Sequence, residues 1–158
     1  MAITVRNGER GGAEPSTADS GRRGFPGRTR PRVLIAEDDA ELRQLMAKSL
    51  AEDGYEIDEA STGFELLVLL ARPGGHYDIV VSDIRMPGLT GLEVIDDLRA
   101  HREFKDSMVA VILVTAFPDL QARAEAGRLQ AMLLEKPLDM DELRNAVADL
   151  IDPTQIVS

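Results

Sequence analysis

The stretch VLIAEDDAELRQLM, residues 33–46, passes from an apolar run through three consecutive acids into a helical pattern. The run at 33–36 is typical of a buried strand, and the apolar residues after position 41 recur at the spacing of one helix face. The acids between them are Glu37, Asp38 and Asp39. Neighbouring carboxylates repel one another, and a helix N-terminus needs only one carboxylate as its cap. The stretch therefore predicts a strand, a turn and a helix, and it gives the acids of the turn a role beyond capping.

The same alternation of apolar runs and helical spacing continues along the chain. It predicts strands at 32–36, 55–60, 78–82, 109–114 and 131–135. Each strand is followed by a helical pattern, and most of these begin at a capping motif: Asp38-x-x-Glu41, Thr62-x-x-Glu65, Thr90-x-x-Glu93 or Asp139-x-x-Glu142. Strands this apolar indicate an α/β fold with a parallel sheet covered by helices on both faces, and right-handed crossovers make it doubly wound. Ligands of such folds bind beyond the carboxyl ends of the strands, where we therefore look for function.

Composition limits the classes of function. The 158 residues carry a net charge of −10, 44% are hydrophobic and 4% aromatic, and Cys and Trp are absent. A chain of this length is expected to form one domain with a proper core. The charge and the few aromatic residues disfavour direct DNA binding, and the lack of Cys excludes disulfides and thiolate metal sites. The sequence has no secretory signal and its longest apolar run is residues 66–71, so we expect a soluble, cytoplasmic protein without a membrane span.

Residues 1–31 are rich in Gly, Pro, Ser and Arg and show no apolar periodicity. We expect a disordered basic tail there, because such a segment buries too little apolar surface to offset its ordering entropy. Two alternatives stay open. In the first, the Arg-rich part at 21–32 binds an anionic partner or folds onto the acidic remainder of the chain. In the second, part of the segment lies upstream of the translated protein. The folded domain is predicted at 32–152, followed by a short tail at 153–158.

Polar side chains follow four of the five predicted strands. The acids at 37–39 follow the first strand, Asp83 the third, Thr115 the fourth and Lys136 the fifth, whereas the second offers nothing ionisable. Taken singly, each has a plain interpretation as a helix cap, a helix start or a solvated charge. Together they converge on one edge of the sheet, and crowded carboxylates are typical ligands of Mg²⁺, which often also binds a phosphate. We therefore predict a magnesium site at this edge.

At this point the sequence resembles a known family. Its motifs are the acidic pair after the first strand, DIVVSDIRMPG at 78–88, VILVTA at 111–116 and EKP at 135–137. In this order and at these intervals they resemble the receiver domain of two-component response regulators, of the stand-alone chemotaxis type, over about 32–151. The resemblance implies a flavodoxin-like sheet with strand order 2-1-3-4-5.

The resemblance also implies a role for each residue of the site. Asp83 would accept a phosphoryl group, Asp38 and Asp39 with Asp83 and the backbone carbonyl of Arg85 would bind Mg²⁺, and Thr115 and Lys136 would contact the phosphoryl oxygens. Glu37 is left outside the metal pair, and Pro137 is expected to follow a cis bond. The implied partners are a sensor histidine kinase or histidine phosphotransfer protein as donor, and an unknown downstream protein. The chemistry is consistent, because a carboxylate attacking phosphorus needs the negative charges neutralised by a metal and a lysine.

Three features depart from the family pattern or add to it. Leu133 stands where many receivers carry an aromatic residue that changes position on activation. Arg85 and Phe117 are expected to flank the mouth of the site, and we hypothesise that this bulky pair restricts attacking water. In the second helix, Phe64 and Val68 are expected to face the sheet, with Leu66 and Leu70 off that stripe.

Two rival functions are weighed against the phosphorylated switch. An Asp-nucleophile phosphohydrolase of similar fold commonly has a second acid two residues after its nucleophile, but Arg85 occupies that position here. A receiver-like module that binds partners without phosphorylation would not need the complete set of acids, Thr115 and Lys136. We therefore expect a switch rather than an enzyme with turnover.

Overall fold

The computed structural model describes residues 30–100 and 109–152. Its strands are β1 (Arg32–Ala36), β2 (Glu56–Ala60), β3 (Ile79–Asp83), β4 (Ala110–Thr115) and β5 (Met132–Glu135). Its helices are α1 (Ala40–Glu52), α2 (Gly63–Ala71), α3 (Gly91–Ala100), α4 (Leu120–Arg128) and α5 (Met140–Ile151). All five predicted strands are present, displaced by at most one residue at either end.

The strands form one parallel sheet in the order β2-β1-β3-β4-β5, as predicted. The three central strands are buried almost throughout, whereas β2 lies at an edge and is partly exposed. Alternate residues of a strand point to opposite faces of the sheet. Leu34 accordingly joins the core under α2, α3 and α4, and Ile35 joins the core under α1 and α5. The doubly wound α/β fold is confirmed.

The helix starts follow their capping residues with one correction. Thr62 and Asp139 are the N-caps of α2 and α5, and the Thr90 hydroxyl accepts a hydrogen bond from the backbone N–H of Glu93 at the start of α3. The first helix is different, because its N-cap is Asp39 rather than Asp38. This shift of one residue changes which acids are free to form a site.

The buried face of α2 is the reverse of the prediction. Leu66 and Leu70 are 0% and 6% exposed, whereas Phe64 and Val68 are 65% and 48% exposed. The helix is apolar on more than one face, so the spacing of its residues does not determine which side faces the sheet. Tertiary contacts set the orientation instead, and α2 presents a short apolar stripe outward.

Several predictions of domain organisation lie wholly or partly outside the described residues. The basic tail predicted at 1–31 falls there except for its last two residues, and so does the tail at 153–158. The domain bounds of 32–152 stay a prediction. Within 30–100 and 109–152, none of the helices has the length and apolar character needed to cross a bilayer.

Candidate functional site

Three carboxylates from β1 and β3 meet at the C-terminal edge of the sheet. One oxygen each from Glu37, Asp38 and Asp83 lies within 4.8 Å of the other two. Glu37 and Asp83 are 1% and 7% exposed, whereas Asp38 faces solvent. Because β1 and β3 are neighbouring parallel strands, their ends deliver these side chains to one place. The arrangement is a buried acidic cluster that is open on one side.

The cluster contains Glu37 where the sequence analysis predicted Asp39 beside Asp38. The Asp39 side chain accepts a hydrogen bond from the backbone N–H of Leu42 at 3.1 Å, so it is engaged in capping α1. Glu37 extends the edge of the sheet, because its backbone N–H donates to the carbonyl of Ala60 at 3.0 Å. A signal was present in the sequence: a cap three residues before Leu42 uses Asp39 and leaves Glu37 and Asp38 for the site.

Lys136 brings a positive charge to the buried acids. Its Nζ lies 2.9 Å from Asp83 Oδ2 and 2.9 Å from Glu37 Oε1. The backbone of Lys136 is held against β4 by its N–H, which donates to the carbonyl of Thr115 at 2.8 Å. The bond from Lys136 to Pro137 is cis, as the resemblance implied. The predicted lysine therefore contacts both the predicted phosphoacceptor and the acid that the sequence analysis left out.

Burial and ion pairing act in opposite directions on the pKa of Glu37 and on that of Lys136, and both pKa values end above their ordinary values. Burial raises the pKa of Glu37 above its ordinary value, although the backbone N–H of Asp39 and the Lys136 ammonium lower it. Burial also disfavours the charged form of Lys136, but its contacts with the Glu37 and Asp83 carboxylates outweigh this and raise its pKa. Lys136 therefore remains a cation at neutral pH, in contact with two of the three acids.

The donor set suits a hard divalent cation. Carboxylate oxygens are the ligands that Mg²⁺ takes in proteins, and three of them converge here from two strands. Glu37 Oε1 is buried and, despite its ion pair with Lys136, has no hydrogen-bond partner of good geometry. A buried oxygen of this kind is costly unless a further positive group satisfies it. The residues present therefore fit a magnesium ion.

Two loops frame the mouth of the cluster. The backbone N–H of Arg85 donates to Asp83 Oδ1 at 3.1 Å, and its guanidinium lies 5.2 Å from the centre of the Phe117 ring. Thr115, only 2% exposed, accepts a hydrogen bond from the backbone N–H of Phe117 at 3.0 Å. A cleft of about 220 Å³ lined by these residues opens beside α4. Arg85, Thr115 and Phe117 thus share one cleft, and the position of Arg85 and Phe117 at the mouth of the phosphorylation site stays a prediction.

A glycine at the start of α3, which the sequence places in the loop beside the site, makes this packing possible. A Cβ on Gly91 would collide with the carbonyl oxygen of Asp83 and lie 2.6 Å from Ser82 Oγ. Its backbone N–H donates to the carbonyl of Ile84 at 3.0 Å, which closes the loop after β3. The motif DIRMPGLTG is typical of a turn, but the close approach of Gly91 to the backbone of Asp83 is a tertiary contact that the motif does not predict.

The fold and the site together define a class of protein: a doubly wound α/β domain with acids, a threonine and a lysine at the carboxyl edge of its sheet. The family model described as the response regulator receiver domain matches residues 33–148. The chain belongs to the response regulator receiver family.

Individual relatives support this assignment. The Regulatory protein AtoC of Escherichia coli (strain K12) is 34% identical over 113 residues, which are 71% of this chain but 23% of AtoC. The Sporulation initiation phosphotransferase F of Bacillus subtilis (strain 168) is 29% identical over 117 residues, 73% of this chain and 90% of the relative. The solved receiver domain of the Francisella response regulator 1452 matches with a TM-score of 0.68 and 30% identity, covering 79% of this chain and 99% of that one.

Proposed function

We propose that Asp83 accepts a phosphoryl group in a Mg²⁺-dependent reaction and that the protein is a phosphorylation-controlled switch. The observation that carries the proposal is the position of the Asp83 carboxylate, which lies within 4.8 Å of two further acids and 2.9 Å from the Lys136 ammonium. A carboxylate is a weak nucleophile toward an anionic phosphoryl group unless cations offset the charge. This site has one cation built in and ligands for a second.

Each residue has a part in the proposed reaction. Glu37, Asp38, Asp83 and the carbonyl of Arg85 would hold Mg²⁺, which when bound offsets negative charge on the transferred phosphoryl oxygens. A carboxylate oxygen of Asp83 forms the new O–P bond as the bond from phosphorus to the donor breaks, giving an acyl phosphate. Lys136 then pairs with the phosphoryl oxygens, and the Thr115 hydroxyl donates a hydrogen bond to them.

The proposed donor is a sensor histidine kinase or a histidine phosphotransfer protein. Two relatives of the chain support this proposal, because their names describe a sensor kinase and a phosphotransferase: Sensor kinase CckA of Brucella abortus and the sporulation phosphotransferase. The receiver would meet such a donor in the cytoplasm and then change its affinity for a downstream protein, because aspartyl phosphate adds charge and acceptor oxygens that shift a two-state equilibrium. The net charge of −10 favours a protein as the target over DNA.

Mass spectrometry of the intact protein after incubation with acetyl phosphate and Mg²⁺ tests the proposal. We expect one phosphate adduct on the wild-type chain and none on Asp83→Asn. The control is Asp96→Asn, a change at an exposed acid on α3, which should gain the adduct normally. An unmodified wild type, or equal modification of Asp83→Asn, would contradict the proposal.

A further inference from the structure

The turn between β2 and α2, residues 60–63, has no ionisable residue but contacts both halves of the acidic cluster. One half is Glu37 and Asp38, which follow β1, and the other is Asp83 with the loop after β3. The two halves follow different strands, so the distance between them also depends on any segment that packs against both. The turn lies against each of them.

Its first contact is with the β1 half. The backbone N–H of Glu37 donates to the carbonyl of Ala60, the last residue of β2, at 3.0 Å. This bond extends the sheet one residue beyond the end of β1 and fixes the backbone from which the Glu37 side chain departs. Because Ala60 is fully buried, the bond is shielded from water.

Its second contact is with the loop after β3. A Cβ placed on Gly63, the first residue of α2, would collide with the carbonyl oxygen of Leu89 and lie 2.7 Å from its carbonyl carbon and 2.8 Å from its Cβ. Real Cβ atoms essentially never approach backbone so closely, so the loop packs directly onto the bare Cα of Gly63. Any other residue at position 63 displaces either α2 or the loop.

That loop carries the phosphoacceptor half of the site and is held by backbone hydrogen bonds to β4 and within the loop. Ile84 N–H donates to the carbonyl of Val114 at 2.9 Å, and Gly91 N–H donates to the carbonyl of Ile84 at 3.0 Å. Arg85 N–H donates to Asp83 Oδ1 at 3.1 Å. A push on Leu89 is therefore transmitted along a short closed loop to the backbone of Arg85, which the proposed function makes a metal ligand.

The turn itself is rigid enough to resist such a push. The Thr62 hydroxyl accepts from Glu65 N–H at 3.0 Å, and Glu65 in turn accepts from the N–H of Ser61 at 2.6 Å. Leu66, one turn into α2, is fully buried against the core. The start of α2 is thus pinned by its caps and by the core beneath it.

We propose that the β2–α2 turn is a brace that sets the distance between the two halves of the metal site, with Gly63 as its positioning residue. The inference rests on the proposed function, because it concerns the site's affinity for Mg²⁺. Mg²⁺ demands near-ideal octahedral geometry, so a small displacement of one half weakens binding. Gly63 touches no ligand and acts through Leu89.

Calorimetric titration with Mg²⁺ of the full chain without a phosphodonor tests the brace. We expect Gly63→Ala to weaken Mg²⁺ binding about tenfold, the usual size of effect for residues that support metal ligands. The control is Gly54→Ala, in the turn after α1. Gly54 has a φ of 99° with open space around it, so alanine strains the backbone without meeting a neighbour. Both variants should unfold at lower urea concentration, but only Gly63→Ala should lose Mg²⁺ affinity.

A second pair covers the case in which Gly63→Ala does not fold. Leu89→Gly removes the Cβ that faces Gly63 and frees the loop backbone, so it should also weaken Mg²⁺ binding, while Leu67→Gly, an equal truncation of a half-buried residue on α2, should not. Equal affinities across wild type and the Gly63 and Leu89 variants would overturn the brace and leave the proposed function intact. A wild-type chain that binds no Mg²⁺ would overturn both.

Discussion

At the scale of single residues, the three consecutive acids after β1 divide into two roles. Asp39 caps α1, whereas Glu37 and Asp38 join Asp83 at the sheet edge. The three crowded acids are therefore one ordinary helix cap and two members of the acidic cluster. The sequence predicted acids at this edge but paired Asp38 with Asp39, because Asp38-x-x-Glu41 also has the spacing of a capping box and so did not show that Asp39 is the cap.

Exchange of neighbouring acids tests this division of roles. We expect Glu37→Gln to weaken Mg²⁺ binding at least about tenfold, because an amide oxygen replaces a buried anionic ligand. Asp39→Asn should leave the affinity unchanged, since Asn caps a helix as well as Asp does. Calorimetric titration of both variants measures the difference. If Asp39→Asn lost affinity and Glu37→Gln kept it, the original pair would be restored.

The pH dependence of binding follows from the raised pKa of Glu37. A ligand carboxylate must be deprotonated to bind a cation, so protons and Mg²⁺ compete for it. Because the folded pKa lies above the ordinary value of 4.5, the wild-type affinity should begin to fall at a higher pH than an ordinary glutamate would cause. Titrations from neutral pH downward measure this, with Glu37→Gln as the comparison. An identical pH profile in that variant would contradict the assignment.

The side chains of Arg85 and Phe117 form a second pair of interest at the scale of single residues. The guanidinium stacks 5.2 Å from the ring centre, and Phe117 is 59% exposed. We predict that Arg85→Ala and Phe117→Ala each shorten the lifetime of the phosphorylated protein several-fold, because each opens a path for water to the acyl phosphate. The loss of phosphate after removal of the donor measures this, with Leu120→Ala, an exposed change at the start of α4, as control. Unchanged lifetimes in both variants would show that the pair does not shield the site.

At the scale of elements, a charged cluster fastens the other end of the sheet. Asp58 Oδ2 on β2 accepts hydrogen bonds from the Arg32 guanidinium at 2.7 Å and from the Tyr77 hydroxyl at 2.6 Å. Burial, followed by the hydrogen bond to Asp58, raises the pKa of Tyr77 to about 12. Burial also acts to raise the pKa of Asp58, but its bonds to Tyr77 and Arg32 outweigh this and lower it. The cluster joins the edge strand β2 to the central strand β1.

Replacement of Asp58 tests the strength of this fastening. The lowered pKa means that the charged carboxylate stabilises the fold above the ordinary value of 3.8, and that this stability is lost as the pH falls through the folded pKa below it. We expect Asp58→Asn to lower the free energy of unfolding at neutral pH by about 1 kcal/mol, a modest figure because the group is partly exposed. Urea unfolding of both proteins should show the gap narrowing in acid. A gap that stays constant down to the acid limit would contradict this account.

The elements also show where prediction from the sequence succeeds and fails. Strands such as β3 and β4 are buried throughout and mostly apolar, as is typical of central strands in a parallel sheet. The helix α2 is apolar on more than one face, so its sequence is compatible with either orientation, and the predicted face was wrong. Gly63 and Gly91 carry constraints from backbone that is distant in sequence, which no local pattern encodes.

At the scale of the whole molecule, the strand order explains why these residues form one site. The chain winds outward in both directions from β1 and β3, and ligands of doubly wound sheets bind where the order reverses. Glu37 and Asp38 follow β1 and Asp83 ends β3, so the acidic cluster spans that point. Thr115 and Lys136 reach it from the next strands, β4 and β5. The fold therefore accounts for the spacing of residues that lie up to a hundred positions apart in sequence.

The central claim is that Asp83 becomes an acyl phosphate in a Mg²⁺-dependent reaction, and its chemistry permits a direct test. Borohydride reduces an acyl phosphate on aspartate to homoserine, so treatment of the protein after incubation with acetyl phosphate marks the modified position for peptide mass spectrometry. We predict homoserine at position 83 when Mg²⁺ is present and none when the metal is chelated. Homoserine at a different position, or equal conversion of Asp83 without the metal, would contradict the account.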